Sequence, residues 1–278
     1  MNTSVNTRPF AGGVFAFRRI AVDLLADAIG RATPRDKVDI RMTLNGIYQQ
    51  RSVDFLESIG VDSGEMYPKL GRDRLFMGGH FSGAFSAHVM DGEPRPQLYP
   101  GAQVLDLGGG MGLVALALLA MVGPVIHIHS LDNNHALRHY LRLIQKDLQA
   151  NNLAAYADCI RPVAGSITQL EALSQANGTV LSGPRSYFLI TALDTLKFVE
   201  PEKIHGILKQ AFELLAPGGM LLAYDCSYGD EFDPLDQAYA TLQAQGFFTG
   251  AEITLQSESL IAGGGVLPTR RLAIRRTL

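Results

Sequence analysis

Two cysteines in 278 residues, Cys159 and Cys226, are too few for a disulfide framework. Both sit in strand-like surroundings and read as reduced structural thiols of a cytosolic protein. Positive charge is not in excess either: 24 Lys and Arg stand against 27 Asp and Glu, for a net charge of −3, with no basic stripe. Nucleic-acid binding rests on clustered Lys and Arg, so no nucleic-acid partner is expected. No apolar run is long enough to span a membrane, and no membrane partner is expected. The segment Met1 to Arg8 is polar and lacks a secretory apolar stretch, which predicts a cytoplasmic protein with residues 1–10 disordered. Apolar residues are plentiful at 47%, ample for the core of one large domain or of a domain with an appendage.

The most informative run is Val104-Leu105-Asp106-Leu107-Gly108-Gly109-Gly110-Met111-Gly112. It reads as a buried strand, a glycine-rich turn and the start of a helix over Leu113 to Val122. Gly108, Gly110 and Gly112 allow a tight turn and close approach of a ligand to bare backbone. The helix start offers unpaired N–H groups and a positive dipole end. A nucleotide-type cofactor is the first expectation. A dinucleotide fingerprint would place a small residue where Leu113 stands. About 20 residues on, Pro124 to Asp132 reads as a second strand ending in a carboxylate. There Asp132 can accept both ribose hydroxyls or cap the helix that begins near Asn133 or Asn134. His127 and His129 alternate on that strand. They read as packed or hydrogen-bonded residues, with no third ligand evident and no metal expected.

Strand and helix signals continue to the end of the chain. Helices are predicted over His135 to Leu153, Pro201 to Leu215 and Leu235 to Gln245. Strands are predicted over Ile160 to Gly165, Ser186 to Thr191, Met220 to Asp225, Phe247 to Leu255 and Arg270 to Arg275. Ala216-Pro217-Gly218-Gly219 reads as a helix stop and chain reversal. The last two strands have no helix between them, which implies an antiparallel pair at the sheet end.

The pattern apolar-apolar-Asp-apolar-Gly-x-Gly-x-Gly, with Asp132 and the Pro-Gly-Gly turn, resembles the class I S-adenosylmethionine (SAM) methyltransferases over roughly residues 95–278. The resemblance implies an α/β fold: a doubly wound, Rossmann-like seven-stranded sheet with an antiparallel C-terminal strand pair. It implies SAM as cofactor, with Asp106, Gly108, Gly110, Gly112, Asp132, Asn133, Ser166 and Thr191 as cofactor-binding positions. Ser166 stands where the family often has an acid for the adenine amine. The core looks most like small-molecule natural-product methyltransferases. Those carry a His-Asp-Trp stretch whose His is the base; the matching place here is near Lys197-Phe198-Val199, so that base is not carried over. Asp194, Tyr228, His80 and His88 are the catalytic candidates, with Thr195, Tyr224, Asp225 and Ser227 also at strand ends. Each has a bland alternative, as a loop carboxylate or a packing group.

The expected activity is methyl transfer to an O, N or C nucleophile of a small molecule in secondary metabolism. Two alternatives stay open: transfer or cyclisation of the 3-amino-3-carboxypropyl group with release of methylthioadenosine, and a catalytically inactive SAM-fold binder. Residues 1–95 form an N-terminal helical segment, with helical periodicity over Ala16 to Ile29 and Asp36 to Ile59 and a hinge at Pro94-Arg95-Pro96. Residues 78–88 suit either a cover over the cofactor or a helix packed on the sheet. By the resemblance, a homodimer through the N-terminal helices is the expected protein partner, and residues 96–278 are the SAM-binding core.

Overall fold

The computed structural model describes residues 6–8, 51, 54–55, 57–58 and most of 98–277, with interruptions at 123, 176–180, 194, 227–233 and 263–264. Eight strands form one sheet: β1 (Asn6–Arg8), β2 (Gln103–Leu107), β3 (His127–Asp132), β4 (Ile160–Ala164), β5 (Tyr187–Leu193), β6 (Leu215–Cys226), β7 (Ala251–Ala262) and β8 (Gly265–Arg276). The order is β1-β7-β8-β6-β5-β2-β3-β4. β2 to β6 run parallel, and β8 is antiparallel to both β6 and β7. Apart from the three-residue edge strand β1, this is the doubly wound seven-stranded sheet with the antiparallel end pair that the sequence predicts. Strand order reverses between β2 and β5, so their C-terminal ends open the crevice where doubly wound sheets take ligands.

Between residues 98 and 277 six α-helices are described: α1 (Leu113–Val122), α2 (His135–Ala150), α3 (Ala154–Asp158), α4 (Leu170–Gln175), α5 (Pro201–Leu214) and α6 (Pro234–Ala244). Alternation along β2 divides the core in two. Val104 joins Leu118, Leu119, Leu141 and Ile144 on the face of α1 and α2. Leu105 and Leu107 join Ile204, Leu208, Phe212 and Leu242 on the face of α5 and α6. Asp106 lies between Leu105 and Leu107 and therefore points with Val104 toward α1 and α2. No described helix is long and apolar enough to cross a membrane.

Three sequence expectations need correction. The helix predicted over 135–153 ends at Ala150, because Asn151 caps it and Asn152 takes φ +61° before the short α3 begins. The strand predicted from Met220 is continued back to Leu215, with Ala216-Pro217-Gly218-Gly219 bulging out between its register pairs. These residues stay within β6 as an irregularity, where the register on β5 moves from Tyr187↔Leu215 to Leu189↔Met220. Gly218 supplies a positive φ of 75° there. A Cβ on Gly219 would stand 2.9 Å from the carbonyl oxygens of Ala216 and Tyr187. The strand predicted from Phe247 starts instead at Ala251 and runs to Ala262, because Phe247 to Gly250 form turns after α6.

Only Arg51, Asp54, Phe55, Glu57 and Ser58 are described from the predicted N-terminal helices, and all five are helical. The segments 16–29 and 78–88 and the hinge at 94–96 lie outside the described residues.

Candidate functional site

The loop from β2 to α1 turns at the C-terminal edge of the sheet. Gly108, Gly110 and Gly112 take φ of 70°, 53° and 82°, a region in which only glycine is unstrained. The Gly108 and Gly109 N–H groups donate to the Leu131 carbonyl at 2.8 and 3.0 Å, which ties the turn to β3. Thr195 closes the other side, its hydroxyl donating to the carbonyls of Leu107 and Leu193 at 3.1 Å each. A Cβ on Gly108 would come within 2.2 Å of that hydroxyl. A Cβ on Gly110 would meet nothing nearer than the Gly108 carbonyl oxygen at 3.9 Å. The turn is thus packed beneath and open at Gly110.

Asp132 ends β3 beside this opening and is 8% exposed. Its Oδ2 accepts the Gly110 N–H at 2.9 Å and its Oδ1 accepts the Asn134 N–H at 2.7 Å. Asn134, not Asp132, is the cap of α2; its side chain accepts from Ala136 and Leu137 N–H. The buried Arg138 guanidinium donates to the Asp132 carbonyl at 2.5 Å. An ionised carboxylate has about four acceptor positions, so two N–H bonds leave room for two ligand hydroxyls.

Asp106 is 1% exposed, and its Oδ1 accepts the Thr191 hydroxyl at 2.8 Å. Burial pushes its carboxyl up to about 7, against the Thr191 hydrogen bond, with the Asp132 charge adding to the rise. Its Oδ2 is buried with no hydrogen-bond partner among the described residues.

The structure thus gathers Asp106, Gly108, Gly110, Gly112 and Asp132 at one edge. Thr191 lies one layer below, fully buried on Asp106. Asn133 is exposed beside Asp132. Ser166 follows β4 and caps the next turn, accepting from the Thr168 N–H at 3.2 Å. Tyr224 and Asp225 are buried near the end of β6. Of the catalytic candidates, His80, His88, Asp194 and Tyr228 lie outside the described residues, as does Ser227. His129 is bound to the Tyr187 hydroxyl through Nδ1 at 2.5 Å, while His127 is exposed. Sequence reasoning missed Ser130 and Arg138. Ser130 is marked only by its register opposite Asp106. Arg138 is marked by its place one helical turn into α2, where a long basic side chain can reach back to the strand end.

No family model matches the chain. Over 141 residues it is 30% identical to the ubiquinone/menaquinone biosynthesis C-methyltransferase UbiE of Vibrio vulnificus (strain YJ016), covering 50% of this chain and 46% of that protein. The same enzyme of Vibrio campbellii (strain ATCC BAA-1116) is 30% identical over 141 residues, 50% and 47% of the two chains. The chain spans about half the length of the curated relatives it matches. Among solved structures, it is similar to magnesium protoporphyrin IX methyltransferase (ChlM) from Synechocystis PCC 6803 with bound SAM. There the identity is 14%, the coverage 75% of this chain and 85% of that one, and the TM-score 0.49. The described core, by its own strand order, has the Rossmann-like methyltransferase fold.

Proposed function

We propose that this chain is a class I SAM-dependent methyltransferase acting on a small molecule. The observation that carries the reading is the pairing of an open glycine turn with the Asp132 carboxylate at the point where strand order reverses. The sequence likeness to C-methyltransferases over half the chain supports it.

The residues present fit the cofactor. Asp132 keeps acceptor capacity for a ribose diol, and Arg138 and Asn134 hold its position. Gly110 leaves open space where a side chain would intrude. The buried, half-paired Asp106 sits beneath the turn, where a carboxylate favours a cationic group above it. When bound, SAM supplies an electrophilic methyl on a sulfonium. The protein's work is then to align a nucleophile and exclude water, so positioning supplies much of the rate. A base is needed only for an acceptor that arrives protonated. Asp194, Tyr228, His80 and His88 remain the proposed groups for that role, with Ser166 and Asn133 proposed at the cofactor's rim. A homodimer through the N-terminal helices and a secondary-metabolic acceptor belong to the same proposal.

The test is incubation of the full chain with SAM and a panel of phenol, quinol, amine and carbon-acid acceptors. S-adenosylhomocysteine as product is the expected result. Methylthioadenosine would instead mean carboxypropyl chemistry, and SAM binding with neither product would mean a binder. Uptake of NAD or FAD with no uptake of SAM would overturn the reading.

A further inference from the structure

One side chain continues the tie between β2 and β5 past the end of their ladder. The last register pair of that ladder is Leu107↔Ala192. Beyond it, the Thr195 hydroxyl donates to the carbonyls of Leu107 and Leu193, the last residues of β2 and β5, at 3.1 Å each. A hydroxyl carries one proton, which these two oxygens share. Thr195 also caps the 3-10 turn Leu196–Phe198, where a threonine hydroxyl ordinarily accepts an N–H of its own turn. Here it makes no such bond, while its carbonyl accepts the Phe198 N–H at 3.2 Å. The same side chain sits on the glycine turn. A Cβ on Gly108 would overlap Thr195 Oγ1 and Cγ2 and stand 2.9 Å from its Cβ, so Thr195 fills the space over the bare Gly108 backbone. On the other side, the Gly108 N–H donates to the Leu131 carbonyl of β3 at 2.8 Å. Gly108 is thereby held between β3 and Thr195 at the point where strand order reverses.

We infer that Thr195 is a positioning residue: seated on Gly108 and hydrogen-bonded to both strand ends, it holds the glycine turn in its cofactor-binding form before a cofactor arrives. The consequence for SAM rests on the SAM reading; the clamp does not. Its proton is engaged with backbone oxygens, so Thr195 acts through the turn and not as an acid or base on the acceptor. Without the hydroxyl, the Leu107 carbonyl that leads into the turn loses this donor. Gly108, Gly110 and Gly112 all take positive φ, and glycine moves out of that region with little steric cost. A turn so rich in glycine keeps one shape only as far as its neighbours hold it. Once released, it spends part of its time in other shapes. Apparent affinity then falls in proportion to the fraction of the competent one.

The test compares Thr195→Val, which keeps the shape and loses the donor, with Thr195→Ser, which keeps the donor and loses the methyl. Both are made in the full chain, and Thr195→Ala serves if the valine variant does not fold. Amide hydrogen exchange without cofactor reads the turn. In Thr195→Val, exchange at Gly108, Gly109 and Gly110 is expected to quicken about fivefold, the worth of one hydrogen bond. Val104 and Leu189 in the central strands are expected to keep the parent's protection. Calorimetry with SAM then reads the consequence. Affinity is expected to fall about fivefold in Thr195→Val and to return to within about twofold of the parent in Thr195→Ser. A merely structural role would cost protection in the central strands as well, and serine would not rescue it. Parent-like exchange at the three glycines in the valine and alanine variants would overturn the inference. So would a serine variant as impaired as the valine one, or parent-like SAM affinity in a variant whose turn exchanges faster. Faster exchange at the turn in a protein that takes up no SAM would sink the SAM reading and leave the clamp standing.

Discussion

At the scale of residues, Asp132 is the most constrained side chain at the sheet edge. One oxygen holds the glycine turn, the other holds the start of α2, and its carbonyl is held by Arg138. Asp132→Ala therefore removes the proposed ribose acceptor and also frees the Gly110 N–H. SAM affinity is expected to weaken by on the order of 1–3 kcal/mol, about five- to 150-fold. Calorimetric titration of the folded variant measures it, and unchanged affinity would remove Asp132 from the site. The placement of this residue and of Asp106 beside the glycine turn was legible in the sequence because it follows from position along a strand that ends at a turn. Ser130 and Arg138 were not. Ser130 acquires meaning only when β2 and β3 are laid in register, which brings it opposite Asp106.

At the scale of elements, β6 departs furthest from the sequence expectation. A Pro-Gly-Gly run reads as a turn because its local chemistry favours one, and residues 216–219 leave the ladder with β5 between Leu215 and Met220, while β8 pairs with β6 only from Met220 on. The irregularity is absorbed at Gly218 and Gly219. Because a Cβ at 219 would press on backbone oxygens of both β6 and β5, which cannot swing aside, Gly219→Ala is expected to destabilise the fold by about 1–3 kcal/mol. Chemical denaturation with an unchanged midpoint would contradict that packing. The opposite case is α2. Its start was legible to within two residues, near Asn133 or Asn134, although the sequence offered Asp132 as the cap and the structure gives that place to Asn134. Its end was not, because the apolar positions continue through Leu153 while Asn152 breaks the helix by adopting a left-handed conformation.

At the scale of the whole molecule, the buried Asp106 and the half-buried His129 pull stability in opposite directions across acid pH. Burial holds His129 down to about 4, with the Arg161 and His127 charges adding to the fall. From pH 6.5 down to about 4 the unfolded chain binds a proton that the folded chain refuses, so stability falls as pH falls. Asp106 is held up at about 7, so the folded chain keeps a proton that the unfolded chain gives up near 3.8. Over that window stability falls as pH rises. The two contributions offset in the parent protein. His129→Gln removes the His129 contribution, so its stability relative to the parent is expected to improve as pH falls from 7.5 to 4.5. Discounted for the partial exposure of the ring, the gain is about 1–2 kcal/mol. Urea melts at the two pH values decide it.

The same scale includes the N-terminal helical residues on α2. Arg51 grips Asp147 through two hydrogen bonds of 2.7 and 2.9 Å. The Tyr140 hydroxyl donates to the Asp54 carbonyl at 2.8 Å, and the Phe55 and Tyr140 rings meet edge to face at 5.4 Å. Arg51→Ala is expected to weaken this dock by about 0.5–1 kcal/mol. Hydrogen exchange should quicken at residues 51–58, with protection of β2 and β5 unchanged. Equal loss of protection in the central strands would show that the dock and the core unfold as one unit.

The sequence by itself determined the winding of the sheet, the antiparallel end pair, the glycine turn and the two carboxylates around it. These follow from short-range signals: apolar runs for buried parallel strands, glycines where φ must be positive, and acids at strand ends. Only the tertiary structure decided what supports them. Register set Ser130 and Thr191 on either side of Asp106, and parallel pairing laid Met220 to Tyr224 beside Leu189 to Leu193. Those partners are fixed by neighbours distant along the chain, through contacts that no local pattern encodes.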